Sequence, residues 1–243
     1  MPACPQCRGD LQVLQLPAHY QRQVAVDACK ACRLVWFDEG ESMRIVAPGW
    51  IALLSWLSGH GLASRPWHGQ PLGCPHCAQP LQLRHDRTRY GRFVVQGCPS
   101  GHGSVQSWAA LLARRGLVRA PTAAERAAMH HEPRAWACLN CGAPRTDGAD
   151  ERADDCAHCG TPALLVDLPR LADSLRPQAA ERPTVSAGRL ATWACHACGQ
   201  TLDPTRQATC GSCGHPVMAP VLADLQPLLQ ALAAAWDGPP RAA

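Results

Sequence analysis

Three features of the sequence predict a small, metal-stabilised α+β fold in which tandem modules are joined by short helices. The 243 residues include 15 cysteines, most of them in Cys-x-x-Cys pairs. Only 5% of the residues are aromatic and 22 are proline, which argues against one large hydrophobic core. Modules of about forty residues bury too little surface to be stable alone, so metal ions or disulfides usually support them.

The first module, residues 1–46, begins with Cys4-Pro5-Gln6-Cys7 and contains a second pair, Cys29-Lys30-Ala31-Cys32. Two such pairs can offer four thiolates to one tetrahedral zinc ion. Apolar residues recur between the pairs at strand-like spacing, namely Leu11, Val13, Tyr20, Val24 and Val26. This pattern predicts a zinc ribbon, in which two metal-binding knuckles lie at one end of a small β-hairpin.

Residues 1–45 also resemble the bacterial zinc ribbons of the transcription-factor-IIB type. The resemblance depends on Cys4-Pro5-x-Cys7-x-Gly9-x-Leu11, Asp27-x-Cys29-x-x-Cys32 and Trp36-Phe37-Asp38-Glu39-Gly40-Glu41. Arg33-Leu34 departs from the family, which usually has small glycines after the second knuckle. The resemblance implies nucleic-acid binding, the property by which family members are mainly described. Independently of it, Asp38 and Glu41 have the spacing of a helix N-cap and its reciprocal partner.

Residues 47–70 are predicted to connect the first two modules. No residue from Ile45 to Ser64 is charged, but several glycines and polar residues interrupt the stretch. A membrane-spanning helix needs about twenty predominantly apolar residues. We therefore predict a shorter helix from Pro48 to Ser58, stopped by Gly59 and packed against the protein, with a membrane-surface helix as the alternative.

The second module, residues 71–133, is a diverged copy of the first over residues 71–118. Gly73-Cys74 to Leu83 aligns with the first module at an offset of 70. The second knuckle is Cys98-Pro99-Ser100-Gly101-His102, in which a histidine replaces the fourth cysteine. Helices are predicted from Val105 to Arg115 and from Thr122 to His130, the second opened by a Thr122/Glu125 capping box.

The third module (134–176) and the fourth (193–243) form another repeated pair, which resembles compact double zinc ribbons. Trp136-Ala137-Cys138 recurs as Trp193-Ala194-Cys195, and a glycine follows every knuckle. Asp167 and Asp224 are predicted to cap a helix after each ribbon. Residues 177–192, rich in Pro, Ala and Arg, are the predicted linker, and we expect it to isolate the last module.

These patterns predict four Zn²⁺ sites with complete ligand sets. The sixteen predicted ligands are Cys4, Cys7, Cys29, Cys32, Cys74, Cys77, Cys98, His102, Cys138, Cys141, Cys156, Cys159, Cys195, Cys198, Cys210 and Cys213. A complete set leaves no open coordination position, so the sites are predicted to be structural and the protein is not expected to be an enzyme. A rubredoxin-like iron carrier and a thiol redox switch are the chemical alternatives.

Metal-bound thiolates change the charge balance of the chain. The formal charge is +4 at pH 7. Three four-cysteine sites would each carry −2 with their ion and the site with histidine −1, which lowers the total to about −3. Overall basicity therefore gives no support for nucleic-acid binding, and any such interface must be a local patch.

The predicted nucleic-acid interface is the hairpin of the second ribbon. Its candidate contact residues are Arg84, Arg87, Arg89, Tyr90, Arg92 and Phe93. Arginines between aromatic residues can contact phosphates while the rings stack on bases. The alternative is a protein scaffold that binds its partner through apolar helices. The odd cysteine count, the regular pairing and a first knuckle at residue 4 favour a reducing, cytoplasmic setting without a cleavable leader.

Overall fold

The fold was analysed in a computed structural model. It describes residues 2–59, 72–88, 91–131, 138–139, 143, 156–157, 161–177, 191–219 and 222–237. For residues 85–88, 91–94 and 130–131 it describes the backbone alone. Within these residues the protein has small antiparallel sheets and short helices, which confirms the predicted α+β class.

The strands are β1 (Gln12–Pro17), β2 (Gln23–Cys29), β3 (Leu34–Asp38), β4 (Gln82–Thr88), β5 (Gly91–Gly97), β6 (Gly103–Ser107), β7 (Val118–Arg119), β8 (Leu165–Val166), β9 (Trp193–Ala194) and β10 (Thr201–Leu202). The helices are α1 (Glu41–Arg44), α2 (Ala47–Ser58), α3 (Trp108–Arg114), α4 (Ala123–His131), α5 (Leu168–Leu175) and α6 (Gln226–Asp237). A short turn occupies His19–Gln21, and a short 3₁₀ helix spans Leu222–Leu225.

The first two modules share one six-stranded sheet in the order β1-β2-β3-β6-β5-β4. This order is symmetric about the antiparallel pair β3 and β6, as expected when a duplicated three-stranded unit pairs with its own copy. Gly103 permits the close approach, because a Cβ atom there would lie 2.1 Å from the Phe37 carbonyl oxygen. Its φ of 142° also lies in a region that favours glycine.

Helix α2 is the centre of the main hydrophobic core, on one face of this sheet. Trp50, Leu53, Leu54 and Leu57 are at most 3% exposed. Its apolar residues pack with those of the sheet and of α5 and α6. The predicted connector helix is thus a packed helix, and among the described residues no helix is long and apolar enough to cross a membrane.

The last module also belongs to this core, which differs from the expected isolation behind a linker. Cys195 and Cys210 lie in the same apolar cluster as α2 and α6. Gln226 Nε2 donates to the Ser55 carbonyl oxygen at 2.8 Å, and Trp236 Nε1 donates to the Leu175 carbonyl oxygen at 2.8 Å. The linker sequence itself lies largely outside the described residues.

Two local predictions in the second module have different outcomes. The helix predicted from Val105 begins only at Trp108, because Val105 to Ser107 pair with β3 as part of β6. The Thr122/Glu125 capping box is present. Thr122 N donates to Glu125 Oε2 at 2.7 Å and Glu125 N donates to Thr122 Oγ1 at 3.2 Å.

Candidate metal centres and the arginine hairpin

The four predicted thiols of the first module converge at one end of β1 and β2. The Sγ atoms of Cys4, Cys7, Cys29 and Cys32 all lie within 4.8 Å of one another, and those of Cys7 and Cys29 are 3.7 Å apart. Zn–S bonds of about 2.3 Å in a regular tetrahedron place neighbouring sulfurs about 3.8 Å apart. A disulfide would instead need about 2.05 Å. The spacing therefore fits a metal-bound tetrathiolate.

In the second module His102 joins Cys74, Cys77 and Cys98. Its Nδ1 atom lies 3.5 Å from Cys98 Sγ and 3.7 Å from Cys74 Sγ. Tetrahedral zinc with bonds of about 2.0–2.1 Å to nitrogen and 2.3 Å to sulfur separates the two donors by about 3.6 Å. Nδ1 is therefore the ring nitrogen placed for ligation.

The fourth module repeats the tetrahedral spacing of the first. The Sγ atoms of Cys195 and Cys213 are 3.7 Å apart, as are those of Cys198 and Cys210. All four lie within 4.8 Å of one another. The four predicted ligands of this module are thus close enough to bind one metal ion.

The third module is described only in part. Cys138 and Cys156, the first cysteines of its two knuckles, are buried and belong to one small cluster. The other two predicted ligands, Cys141 and Cys159, lie outside the described residues. The two described cysteines are nevertheless placed as in the other modules, since both make the backbone hydrogen bond described next.

A single backbone hydrogen bond recurs in seven of the predicted knuckles. In each, the N–H of the first ligand donates to the carbonyl oxygen five residues later, closing the turn around the metal-binding position. These pairs are Cys4–Gly9, Cys74–Gln79, Cys98–Gly103, Cys138–Ala143, Cys156–Thr161, Cys195–Gln200 and Cys210–His215. In the remaining knuckle, Cys29 is paired with Leu34 in the sheet. The sequence spacing of the ligands suggested the knuckles but not this bond.

Within the part of the chain that the structure describes, the residue after the second ligand adopts a left-handed backbone in five knuckles. Two of these residues are glycines, as predicted: Gly199 has φ 74° and Gly214 has φ 73°. The other three carry side chains, with φ 62° at Arg8, 53° at Arg33 and 58° at Ala78. Arg33, where the family resemblance breaks down, therefore keeps the same turn without a glycine.

The pKa shifts of the thiols in the first group are consistent with a site for a cation. Hydrogen bonds from the Cys32 and Cys4 thiols lower the pKa of Cys29 to about 2. The hydrogen bond with Cys29 raises the pKa of Cys4 to about 12, and Cys29 and Cys4 together raise that of Cys32. One thiolate is thus stabilised by neighbours that stay protonated. Only a bound cation can hold all four as thiolates at this separation, so the donor set fits a divalent metal.

Backbone N–H groups of the knuckles also stabilise individual thiolates. Although desolvation opposes it, the N–H groups of His102 and Ser100 lower the pKa of Cys98 to about 6. The N–H groups of Cys213 and Ser212 do the same for Cys210, whose pKa is also about 6. N–H···S bonds of this kind orient metal-binding thiolates.

No protein-family model, curated protein or solved structure matches the chain.

Asp38 links the first two metal centres, a role that sequence reasoning missed. Its Oδ1 accepts a hydrogen bond from Trp36 Nε1 at 2.8 Å and lies 3.0 Å from His76 Nε2. The prediction that Asp38 caps a helix is wrong for its side chain: Gly40 precedes α1, with no side-chain cap. Only the reciprocal half is present, since Asp38 N donates to Glu41 Oε2 at 2.9 Å.

The predicted nucleic-acid hairpin is a two-stranded arm. β4 and β5 pair from Gln82 opposite Gly97 to Thr88 opposite Gly91. By contrast, β6 pairs with β5 only at Gln96 and Gly97. The outer part of β4 and β5 thus extends beyond strand β6.

The strand register places four of the six predicted contact residues on the backbone of the arm, namely Arg84, Arg87, Arg92 and Phe93. Arg87 is directly opposite Arg92 in the sheet register, and Phe93 is opposite Asp86. Arg89 and Tyr90 lie outside the described residues. Directly opposed like charges destabilise a sheet unless an anion lies near them.

Arg84, at the base of the arm, has a structural contact that sequence reasoning missed. Its Nη2 donates to the Cys98 carbonyl oxygen at 2.8 Å. Its guanidinium also lies over Gly97, where a Cβ atom would come within 2.9 Å of Arg84 Nε. Arg84 thus braces the second knuckle of this module.

Proposed function

We propose that this chain is a non-enzymatic, cytoplasmic nucleic-acid-binding adaptor built from four zinc ribbons. The first two would be transcription-factor-IIB-type ribbons and the last two double-ribbon modules. Sulfur separations of 3.7 Å in three modules support a tetrahedrally bound metal ion, which we propose to be zinc. Bound zinc would crosslink the short hairpins and, with four protein ligands, have no position left for a substrate.

The observation that carries the nucleic-acid proposal is the pairing of Arg87 with Arg92 on an arm that extends beyond β6. Like charges placed directly opposite each other on a sheet generally cost free energy. A phosphate backbone beside them would remove that cost. From Arg84 to Arg119 the sequence has seven arginines and one acidic residue, which gives the local positive charge that the whole chain lacks.

An exposed tyrosine on the first ribbon supports the same proposal. Tyr20 is 92% exposed in the turn between β1 and β2. At the offset of 70 residues that relates the first strands of the two ribbons, Tyr20 corresponds in sequence to Tyr90. Both Tyr20 and Gln21 have a left-handed backbone, with φ 59° and 56°. Left-handed non-glycine residues cost about 1–2 kcal/mol each, so this turn presents an aromatic ring at an energetic cost, as binding loops often do.

Binding of single-stranded RNA or DNA over a range of salt concentrations tests the proposal. The double variant Arg87→Ala/Arg92→Ala should bind more weakly, with a salt dependence reduced by about two counterions. The matched control is Arg44→Ala/Arg206→Ala, which removes the same charge from exposed positions elsewhere. Equal weakening by both variants would indicate a general charge effect. No binding by the wild-type protein would leave the protein-scaffold function as the better account.

Zinc content is tested separately by elemental analysis of protein purified from its native host. Four zinc ions per chain are expected, because four knuckle pairs supply sixteen ligands. Two or fewer zinc ions, or substantial iron, would contradict this part of the proposal and favour the electron-carrier alternative.

A further inference from the structure

The first and fourth ligand groups differ in how far solvent reaches their cysteines. In the first group Cys4, Cys29 and Cys32 are buried and Cys7 is half-buried. In the fourth group Cys195 and Cys210 are buried, but the second cysteine of each knuckle, Cys198 and Cys213, is exposed. Two groups with the same donor set and the same sulfur spacing thus differ in access.

The surroundings of the knuckles explain the difference. The first group belongs to the same buried apolar cluster as the second, together with Trp36, Leu72 and Leu81. In the fourth group the flanking glycines face open space. A Cβ atom added at Gly199 or Gly211 would meet no atom within 4 Å.

We propose that Cys198 and Cys213 form a peroxide-sensitive site at which the fourth metal centre is opened by oxidation. A thiolate at either position attacks one oxygen of hydrogen peroxide, giving a sulfenic acid and, after one proton is taken up, water. A second thiolate of the group then attacks that sulfur and displaces hydroxide, which is protonated to a second water. Two thiolates, one peroxide and two protons thus yield one disulfide and two waters.

The structure places the partners for the second step close by. Every Sγ atom of the group lies within 4.8 Å of the other three, and Cys198 Sγ is 3.7 Å from Cys210 Sγ. A disulfide leaves only two thiolates, too few to retain zinc tightly. Because Cys195 and Cys210 also belong to the main core, loss of the ion would disturb the packing beside α6.

Titration of the zinc-loaded full-length chain with hydrogen peroxide tests this inference, with a zinc-sensitive dye and site-resolved mass spectrometry as readouts. We expect oxidation of Cys198 and Cys213, with release of one zinc equivalent, before any oxidation of Cys4, Cys29 or Cys32. Simultaneous oxidation of the two groups, or earlier oxidation of the first, would overturn it. Absence of zinc from the fourth group before peroxide is added would instead contradict the proposed metal content.

Two variants separate access from general thiol reactivity. Cys213→His keeps four ligands while removing one exposed thiol, so the fourth group should oxidise more slowly. Cys7→His makes the matched change in the first group and should leave oxidation of the fourth unaltered. Equal slowing of Cys198 oxidation by both variants would contradict the inference. If Cys213→His fails to retain zinc, the order of oxidation in the wild-type chain decides the question alone.

Discussion

Asp38 Oδ1 lies 3.0 Å from His76 Nε2, which joins the end of strand β3 to the first knuckle of the second ribbon. The same oxygen accepts a hydrogen bond from Trp36 Nε1, and the Trp36 side chain is only 1% exposed. Trp36 in turn lies in the apolar cluster shared by the first two ligand groups. The Asp38 carboxylate therefore contacts both the buried Trp36 side chain and His76 in the first knuckle of the second ribbon.

Replacing Asp38 with alanine should destabilise the first two ribbons together. The change leaves the buried Trp36 N–H without its acceptor, which costs about 1–3 kcal/mol. The measurement is chemical denaturation of the zinc-loaded protein, with amide exchange to locate the loss. Asp38→Asn retains an oxygen acceptor and should recover most of the stability. Glu39→Gln, at the exposed neighbouring position, is the control. An unchanged Asp38→Ala variant would show that the contact carries no net free energy.

His102 is predicted to be the fourth ligand of the second centre. Its Nδ1 lies at tetrahedral distance from two sulfurs. Chelator competition should therefore show weaker zinc retention in His102→Ala and near-normal retention in His102→Cys. His76→Ala is a close control, because His76 lies inside the same ribbon's knuckle but its Nε2 faces Asp38. Loss of zinc from His76→Ala but not from His102→Ala would contradict the ligand assignment.

The ligands were predictable because metal chemistry requires local spacing. Two cysteines separated by two residues specify a knuckle wherever they occur, so three complete groups converge as the sequence indicated. The pairing of β3 with β6 was not predictable. It joins Leu34 to Ser107 across more than seventy residues, and neither strand carries a signal for its partner.

The side chain of Asp38 and the start of α3 were misread for a related reason. Val105, Trp108 and Leu112 have helical spacing, and local sequence alone favours a helix from Val105 onward. Hydrogen bonds to β3 instead keep Val105 in a strand. Similarly, Asp38 has an acceptor role near Trp36 and His76 that competes with capping. In both cases a long-range contact outweighs a local preference.

Glu125 should make stability depend on pH below neutrality. Burial by itself raises the pKa of the Glu125 carboxyl, but hydrogen bonds from Arg119 and Thr122 outweigh it, so that the pKa is lower than usual in the folded protein. The charged carboxylate therefore contributes stability above the unfolded-state pKa of about 4.3, and this is lost as the pH falls through the lower folded-state pKa.

The test compares wild type with Glu125→Gln across this pH range. The variant should be less stable at pH 7, and the difference should shrink below about pH 4. Thiol protonation and loss of metal affect both proteins, so the difference between them isolates Glu125. A constant difference at all pH values would show that the carboxylate charge is not responsible.

The left-handed backbone of the residue after a knuckle predicts stability changes of opposite sign for substitutions at Ala78 and Gly199. Ala78 has φ 58°, a conformation that costs a residue with a side chain about 1–2 kcal/mol. Ala78→Gly removes that strain but increases the conformational entropy of the unfolded chain by about 0.4–1 kcal/mol, so a small net stabilisation is expected. Gly199→Ala is the matched reverse change, with φ 74° and no atom within 4 Å of the new Cβ. Since nothing can clash there, any loss of stability must come from the backbone.

Thermal unfolding of the zinc-loaded proteins should therefore show a raised midpoint for Ala78→Gly and a lowered one for Gly199→Ala. Shifts of the same sign would mean that backbone conformation does not limit knuckle stability.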